Sequence, residues 1–256
     1  MTSPDAPLRF DDRTVLVTGG TRGIGRAIAA AFLGAGADVA VCGRTEPDEP
    51  VAAGGRAALF VPADVRDPDA ARALVARVAQ EFGRLDVLVN NAGGSPAADS
   101  ATVSPRFVER IVTLNLLAPF YVAQPANAVM REQDGGGVIV NIGSVAAHQP
   151  EPFTAAYAAA KAGLLALTRA LALEWAPKVR VNHITTGLVR TADTAQFYGD
   201  GSALADLVPM GRMAVPEDVA NACLFLASPL AAYVNGADLA VHGGGEPPAR
   251  YLVTRQ

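Results

Sequence analysis

The sequence predicts an α/β fold in one domain, a doubly wound parallel sheet with helices on both faces. Short apolar runs typical of strands alternate with amphipathic or alanine-rich stretches, and strands joined by helical crossovers pair in parallel. The strand runs show little polar alternation, as expected when both faces of a sheet are covered. No linker, repeat or low-complexity block divides the 256 residues, so we expect one domain over residues 1–256.

The predicted elements alternate along the whole chain. Strands are expected at Thr14–Val17, Asp38–Cys42, Ala57–Val61, Val87–Val89, Val138–Ile142, Val179–Val181 and Leu239–Val241. Helices are expected near 23–34, 68–82, 104–131, 154–175 and 216–227. Pro216 at a first helical position, followed by Glu217 and Asp218, favours a helix start there, and Pro177 ends the helix before it.

Composition excludes several classes of protein. Half of the residues are hydrophobic, but 51 of the 256 are alanine, so much of the apparent apolarity is methyl groups. Two uncharged runs, 111–130 and 219–237, are interrupted by asparagine and proline, which makes them poor membrane spans. The net charge of −4 and the lack of a basic run argue against nucleic-acid binding.

The N-terminal stretch lacks the apolar segment of a secretory signal, so we expect a cytoplasmic protein. The two cysteines, Cys42 and Cys223, are then expected to be reduced thiols. No cysteine or histidine cluster has metal-ligand spacing, and no metal site is predicted.

A glycine-rich turn follows the first strand and opens the first helix. It runs from Thr18 to Gly25 and contains Gly19, Gly20, Thr21, Arg22, Gly23 and Ile24. Glycines permit a sharp turn and close approach to a pyrophosphate, whose charge is favoured by the N-terminus of the following helix. The turn therefore predicts a dinucleotide site.

The end of the second strand indicates which dinucleotide is bound. An acidic residue there binds a ribose 2′-hydroxyl, whereas an arginine accommodates a 2′-phosphate. Arg44 occupies that turn, and Arg22 could face the same phosphate. We therefore expect NADP(H), although Arg44 could instead be a solvated charge paired with nearby acids, which leaves NAD(H) open.

A tyrosine and a lysine stand four residues apart on a predicted helix. Tyr157 and Lys161 then share one helix face, and Lys161 is one of only two lysines in a chain with 21 basic residues. A neighbouring ammonium favours the phenolate and lowers a tyrosine pKa toward values useful for general acid–base work. Ser144, which closes the strand before them, could bind a substrate carbonyl oxygen at the carboxyl edge of the sheet.

These motifs resemble those of the short-chain dehydrogenase/reductase family, from Thr14 to about Gly245. Asp64-Val65, Asn90-Asn91-Ala92-Gly93 and Asn115 complete the set. The resemblance implies a Rossmann-like fold with Tyr157 as general acid/base, Lys161 lowering its pKa and binding the nicotinamide ribose, Ser144 orienting the carbonyl and Asn115 holding a proton-relay water. It implies cofactor binding by Gly19, Thr21, Arg22, Gly23, Ile24, Gly25, Arg44, Asp64, Val65, Asn91, Ala92, Gly93, Tyr157, Lys161, Gly187, Val189 and Thr191.

Pro119 adds a hypothesis about the relay water. It lies four residues after Asn115 and has no N–H to donate to the Asn115 carbonyl. We expect that carbonyl to be left for the water.

The chain departs from the family pattern at two positions. Thr186 stands where the family commonly has proline, and we expect this to loosen the start of a substrate loop over about 190–209. His242 replaces the usual aspartate and is expected to be structural or at an interface. His148 and His183 are expected to be structural as well, with His148 nearer the pocket.

The sequence and the resemblance together indicate an NADP(H)-dependent oxidoreductase that interconverts a ketone and a secondary alcohol. A catalytically idle dinucleotide-binding regulatory subunit is the alternative from another class. The expected partners are a small-molecule carbonyl or alcohol substrate and further copies of the chain, since the family is usually a homotetramer. The tail 246–256 could join that interface.

Overall fold

The computed structural model describes residues 8–149, 151–198, 202–205 and 207–245. Seven strands form one parallel sheet in the order β5-β2-β1-β6-β7-β8-β9. Their bounds are β1 Thr14–Thr18, β2 Asp38–Gly43, β5 Leu59–Pro62, β6 Val87–Asn90, β7 Gly137–Ile142, β8 Val179–Thr186 and β9 Asp238–Val241. The sequence-based prediction of a doubly wound parallel sheet is confirmed. The predicted tail 246–256 and part of the substrate loop lie outside the described residues.

Helices cover both faces of the sheet. They are α1 Gly23–Gly34, α2 Pro68–Phe82, α3 Pro105–Val112, α4 Ala118–Arg131, α5 Ala155–Trp175, α6 Ala192–Tyr198, α7 Ser202–Ala205 and α8 Pro216–Ala227. Local sequence explains the start of α2: the Asp67 side chain accepts the Asp69 and Ala70 amides, and Pro68 occupies the first helical position.

Two predicted elements differ from the observed ones. The single helix expected over 104–131 is divided by a π-helical turn, Thr113–Leu117, between α3 and α4. The strand expected at Ala57–Val61 is interrupted: Arg56–Ala57 (β4) pairs antiparallel with Ala52–Ala53 (β3), and the sheet strand begins at Leu59. Gly54 and Gly55 both have positive φ, which permits this tight hairpin in a segment expected to be a loop.

Each face of the sheet has its own apolar core. On one face α1 and α8 bury Ile28, Phe32, Val219, Cys223 and Leu226 against β1 and its neighbours. On the other, α2, α4 and α5 bury Leu74, Val78, Val122, Met130 and Leu171. The carboxyl ends of β1, β6, β7 and β8 therefore meet along one edge, where ligands bind in open α/β sheets.

Among the described helices, α5 alone is long and apolar enough to cross a membrane, judged by length and composition. Its residues Leu164, Thr168 and Leu171 are buried in this fold. A core helix of this kind passes the same test as a membrane span.

Candidate active site

The glycine turn after β1 is held in shape by Asn91. The Asn91 side-chain amide donates to the carbonyls of Thr18 and Gly19 at 2.9 and 3.1 Å, and the Thr18 hydroxyl accepts the Asn91 and Ala92 amides at 3.0 Å each. Gly19 has φ of +61°, and a Cβ at Gly25 would lie 2.3 Å from the Gly19 carbonyl oxygen. These positions require glycine because the turn folds back on itself.

The turn and the start of α1 fit a pyrophosphate. Arg22, the residue that caps α1, makes no side-chain hydrogen bond to the first-turn amides, so the helix begins without a side-chain cap. A Cβ at Gly23 would have only Thr191 within 4 Å, at 3.7 Å. Backbone donors at an uncapped helix N-terminus favour phosphate binding, and the small Gly23 permits its close approach.

The two arginines predicted to bind a 2′-phosphate have different surroundings. A Cβ at Gly43 would lie 3.3 Å from Thr21, so the exposed Arg44 that follows Gly43 is next to the glycine turn. Arg22 instead forms an exposed ion pair with Asp193 in α6, at 3.2 Å. The contact of Arg22 with the substrate loop was not predicted, and the binding of a 2′-phosphate by Arg22 and Arg44 stays a prediction.

Asp64 and Val65 follow β5. The Asp64 carboxylate accepts hydrogen bonds from Arg66, including one from Nε at 2.9 Å, and these lower its pKa, with a smaller contribution from the charge of Arg44. Arg66 was not among the predicted site residues. It acts on the Asp64 carboxylate from two residues away and belongs to no recognisable motif of its own. Val65 is buried.

Lys161 is buried beside Tyr157. Its ammonium donates to the Ile142 carbonyl at 2.8 Å and lies 5.7 Å from the centre of the Tyr157 ring, within the range of a cation–π contact. Burial lowers the pKa of Lys161 to about 8. The ammonium that the sequence predicts to assist Tyr157 is thus fixed at the end of β7.

Ser144 begins the 3-10 turn Val145–Ala147 after β7. Its Oγ accepts the Ala146 amide at 3.2 Å, which orients the side chain at the carboxyl edge of the sheet. Ser144 is two residues from Ile142, which binds Lys161, so the backbone end of β7 connects the two predicted catalytic groups.

Asn115 lies in the π-helical turn and is fully buried. Its side-chain oxygen accepts the Gly94 amide at 2.9 Å, and its side-chain nitrogen donates to the carbonyls of Gly94 and Ile111. A Cβ at Gly93 would lie 2.8 Å from the Asn115 Oδ1 and 3.3 Å from the Lys161 Nζ. Asn115, Gly93 and Lys161 therefore come together, and the Asn115 amide is committed to the loop after β6.

The π-helical turn affects the hydrogen bonding of the backbone carbonyl of Asn115. The Ala118 amide bonds the Thr113 carbonyl instead of the Leu114 carbonyl, and Pro119 has no N–H for Asn115. The α-helical partner of the Asn115 carbonyl is therefore missing, and the binding of a relay water there stays a hypothesis. Single-turn π-helical segments of this kind are frequent at functional sites.

The segment after β8 contains the remaining predicted cofactor residues. Val189 bridges Ala214, and Thr191 caps α6 through reciprocal hydrogen bonds with Thr194. A Cβ at Gly187 would lie 2.8 Å from the His242 side chain, which requires glycine there and gives His242 a packing role.

Thr186, which stands where the family commonly has proline, is held at the end of β8, and the looser start of the substrate loop over about 190–209 stays a prediction. It is buried, and its hydroxyl donates to the Gly143 carbonyl at 2.8 Å. A proline at this position has no hydroxyl, so the substitution adds a tie between β8 and β7 in place of a fixed φ.

His148 and His183 both contact Asp238, and the nearness of His148 to the pocket stays a prediction. His148 Nε2 lies 2.9 Å from an Asp238 carboxylate oxygen, and His183 Nδ1 lies 2.8 Å from the other. Within the described residues, no group of histidine, cysteine and acidic side chains is arranged to hold a metal ion. Both cysteines are free and buried.

Comparison with known proteins places this site in a family. Residues 19–246 match the family model described as enoyl-(acyl carrier protein) reductase. The chain is 39% identical over 250 residues to D-threitol dehydrogenase of Mycolicibacterium smegmatis, covering 94% of this chain and 96% of the relative. It is 39% identical over 248 residues to 3beta-hydroxysteroid dehydrogenase 1 of Eggerthella lenta, covering 92% and 95%.

A solved structure agrees in fold and sequence. The putative NAD(P)-dependent gluconate 5-dehydrogenase of Beutenbergia cavernae, which contains NADP at low occupancy, superposes with a TM-score of 0.86 at 41% identity, covering 93% of this chain and 98% of that one. The fold and the shared sequence define a nicotinamide-dependent class of α/β oxidoreductase. The chain belongs to the short-chain dehydrogenase/reductase family.

Proposed function

We propose that the protein is an NADP(H)-dependent oxidoreductase that interconverts a ketone and a secondary alcohol, with Tyr157 as the general acid/base. One observation carries the proposal: the buried ammonium of Lys161 is held at the end of β7 and lies 5.7 Å from the Tyr157 ring. A fixed positive charge next to a phenol favours its ionised form, as acid–base work at neutral pH requires.

The proposal assigns one role to each of the four side chains. A bound nicotinamide supplies the hydride in reduction and accepts it in oxidation. Ser144 orients the substrate oxygen by hydrogen bonding, and Tyr157 donates its proton to that oxygen during reduction. Lys161 stabilises the tyrosinate that remains, and the Asn115 carbonyl holds the water that returns a proton.

The preference for NADP(H) rests on Arg44. Arg44 lies next to the glycine turn, where a 2′-phosphate is bound in this fold, and arginine suits such a phosphate. The gluconate 5-dehydrogenase neighbour contains NADP. NAD(H) is the second candidate, and the ion pair that turns Arg22 toward Asp193 favours it.

The remaining proposed cofactor contacts come from the loops around this cleft. The turn residues Gly19, Thr21, Gly23, Ile24 and Gly25 bind the pyrophosphate, and the loop after β6 supports the nicotinamide side. The other contacts are assigned to Asp64, Val65, Asn91, Ala92, Gly93, Gly187, Val189 and Thr191.

The substrate is proposed to be a small alcohol or its ketone. Two relatives are named for a sugar alcohol and a steroid, so both classes belong in the test panel. NADPH and NADH oxidation should be measured with ketoses, cyclic and steroid ketones, together with the reverse reaction on the alcohols. We expect turnover with NADPH in preference to NADH. Turnover with NADH alone would overturn the assignment to NADP(H).

We propose that the protein is a cytoplasmic homotetramer. Large apolar side chains are exposed at the C-terminal parts of α5 and α8 and in the turn that follows α8. They are Leu173, Phe225, Leu230 and Tyr233. Exposed apolar side chains that form a contiguous patch mark protein interfaces, and we propose that these four contribute to one. Light scattering after size-exclusion chromatography should give the mass of four chains.

A further inference from the structure

A row of polar side chains crosses the sheet beneath the catalytic edge. Asn90 on β6 pairs with Asn141 on β7, Asn141 with His183 on β8, and His183 with Asp238 on β9. Directly paired residues of neighbouring strands lie on the same face of a sheet, and here it is the face covered by α5, because Asn141 bonds Thr168 of that helix. Buried polar side chains in such a position need a structural or functional reason.

His183 is oriented by Asp238. The His183 side chain is fully buried, and its Nδ1 lies 2.8 Å from Asp238 Oδ1. The Thr185 hydroxyl donates to the same oxygen at 2.7 Å, and His148, which is partly exposed, binds the other at 2.9 Å. An ionised carboxylate only accepts hydrogen bonds, so Nδ1 carries the proton and Nε2 of neutral His183 does not.

The unprotonated side of the His183 ring packs against Gly143. A Cβ at Gly143 would lie 2.0 Å from Cε1 and 2.1 Å from Nε2 of His183. His183 Nε2 is buried and has no hydrogen-bond partner among the described residues. The Gly143 amide donates to the Ile184 carbonyl at 2.7 Å, and its carbonyl accepts from Thr186. Gly143 is thus held by three residues of β8: His183, Ile184 and Thr186.

Gly143 lies between Ile142 and Ser144, the two residues at and just after the end of β7 that contribute groups to the site. The Ile142 carbonyl before it binds the Lys161 ammonium, and Ser144 after it carries the hydroxyl assigned to the substrate. Movement of Gly143 by a fraction of an ångström would move both groups relative to Tyr157. A misplacement of about 1 Å costs on the order of a hundredfold in rate.

We propose that His183 is a positioning residue for the reaction: oriented by Asp238, its neutral ring holds Gly143 and thereby fixes the Ile142 carbonyl and the Ser144 hydroxyl. The role in catalysis rests on the proposed function. The positioning of the backbone does not, and it is measurable without substrate or cofactor.

Protonation of His183 would disturb this arrangement. Burial lowers the pKa of His183, while Asp238 opposes this and the charges of Lys161 and His148 add to it. The ring is therefore neutral at neutral pH and gains a proton only under acidic conditions. The new Nε2–H would then face Gly143 without an acceptor, and a buried unpaired donor is costly. Activity should fall on the acid side as this proton is gained.

Two substitutions at His183 separate packing from titration. His183→Ala removes the ring that supports Gly143, whereas His183→Gln retains a donor for Asp238 and has no charge to gain. Asn182→Ala is the matched control, because Asn182 is equally buried in the same strand but bonds the Val234 carbonyl and the Ala237 amide. It should destabilise the fold without reaching Gly143.

The first measurement is backbone hydrogen exchange in the cofactor-free protein, followed on peptides covering residues 138–149. We expect His183→Ala to speed exchange at Gly143 and Ser144 by about tenfold or more. Asn182→Ala, compared at equal distance below its own unfolding temperature, should leave these amides near the wild-type rate. Unchanged exchange in folded His183→Ala would overturn the proposal even if the protein reduces no ketone.

The second measurement is the pH dependence of turnover. His183→Ala should lower kcat about tenfold or more at neutral pH while the Kd for NADPH, measured by fluorescence, stays within about twofold. His183→Gln should retain most of kcat and lose activity at lower pH than the wild type. A wild-type kcat and pH profile in folded His183→Ala would contradict the catalytic role. Altered exchange in a protein that turns over no substrate would contradict the proposed function and leave the positioning itself supported.

Discussion

The hydroxyl of Thr186 donates to the carbonyl of Gly143 over 2.8 Å and ties the end of β8 to the end of β7. The absence of the family's proline at this position led us to expect a looser start of the substrate loop over about 190–209, and that expectation stays a prediction. The bond shows that Thr186 adds a hydrogen bond that proline cannot make. It also links the strand that precedes the substrate loop to the residue just before Ser144.

Removing this hydroxyl should destabilise the protein. Thr186→Val retains the shape of the side chain but leaves the Gly143 carbonyl without that donor, so the free energy of unfolding should fall by about 1–2 kcal/mol. Thr186→Ser keeps a donor and should lose less. Urea unfolding of the three proteins tests this, and equal stability of the valine and wild-type proteins would contradict it.

Gly93 should tolerate no side chain. A methyl group there would lie 2.8 Å from Asn115 Oδ1 and 3.3 Å from Lys161 Nζ, and Gly93→Ala should therefore lower kcat/KM about a hundredfold. Gly34→Ala is the matched control, since a Cβ at Gly34 meets no heavy atom within 4 Å. Steady-state kinetics of both variants measure this. Equal activity of Gly93→Ala and Gly34→Ala would contradict the prediction.

Pro119 should affect proton transfer through the carbonyl of Asn115. Pro119→Ala supplies an N–H for that carbonyl, which should displace the relay water and slow proton transfer. Pro125→Ala makes the same change inside α4, six residues further along the chain, and serves as the control. The readout is the pH–rate profile with its solvent isotope effect, and an unchanged profile for Pro119→Ala would refute the relay hypothesis.

The buried charge of Lys161 should lower the free energy of unfolding at neutral pH. Its pKa is lowered by burial to about 8, below that of an unfolded lysine, so the unfolded chain binds the proton more tightly than the folded protein. Stability from this residue should therefore rise as the pH increases from about 8 toward about 10.5. Lys161→Met, which lacks the charge, should unfold at a higher temperature than the wild type at pH 7.

The advantage of Lys161→Met should shrink as the pH approaches the ordinary lysine pKa, about 10.4. Thermal unfolding of the cofactor-free proteins across that range measures it. An equal or lower unfolding temperature for Lys161→Met at pH 7 would mean that the hydrogen bond to Ile142 outweighs the cost of burial. In the active wild type, kcat/KM for reduction should decline above about pH 8 as Lys161 loses its proton.

The two arginines should differ in their effect on the cofactor. Arg44→Ala should raise the KM for NADPH about tenfold with little effect on NADH, because only NADPH has the 2′-phosphate. Arg22→Ala should have a smaller effect, since Arg22 pairs with Asp193. A larger loss of NADPH binding in Arg22→Ala than in Arg44→Ala would contradict this prediction. It would mean that Arg22 breaks its ion pair with Asp193 and binds the 2′-phosphate.

The fold was predictable, and the candidate site could be proposed from the sequence, because both rest on local signals. Strand and helix periodicity, the Thr18–Gly25 turn and the four-residue spacing of Tyr157 and Lys161 are all short-range features. The division of the helix over 104–131 was not predicted: Pro119 marked a missing donor, but the π turn depends on which carbonyl the Ala118 amide selects.

Contacts between distant segments were also not predictable. His183 and Asp238 are 55 residues apart, and only the pairing register of β8 and β9 brings them together. The bond from Thr186 to Gly143 and the ion pair between Arg22 and Asp193 likewise join segments that are distant in the sequence. Nothing in the local sequence around these residues distinguishes them from surface or packing positions.

The central claim is that Tyr157 transfers the proton during a nicotinamide-dependent reduction. The most direct test is the turnover of Tyr157→Phe with NADPH and the best ketone, measured together with NADPH binding by fluorescence. The account predicts a loss of kcat of about a thousandfold or more, with the Kd for NADPH close to that of the wild type. Retained turnover in Tyr157→Phe would contradict it.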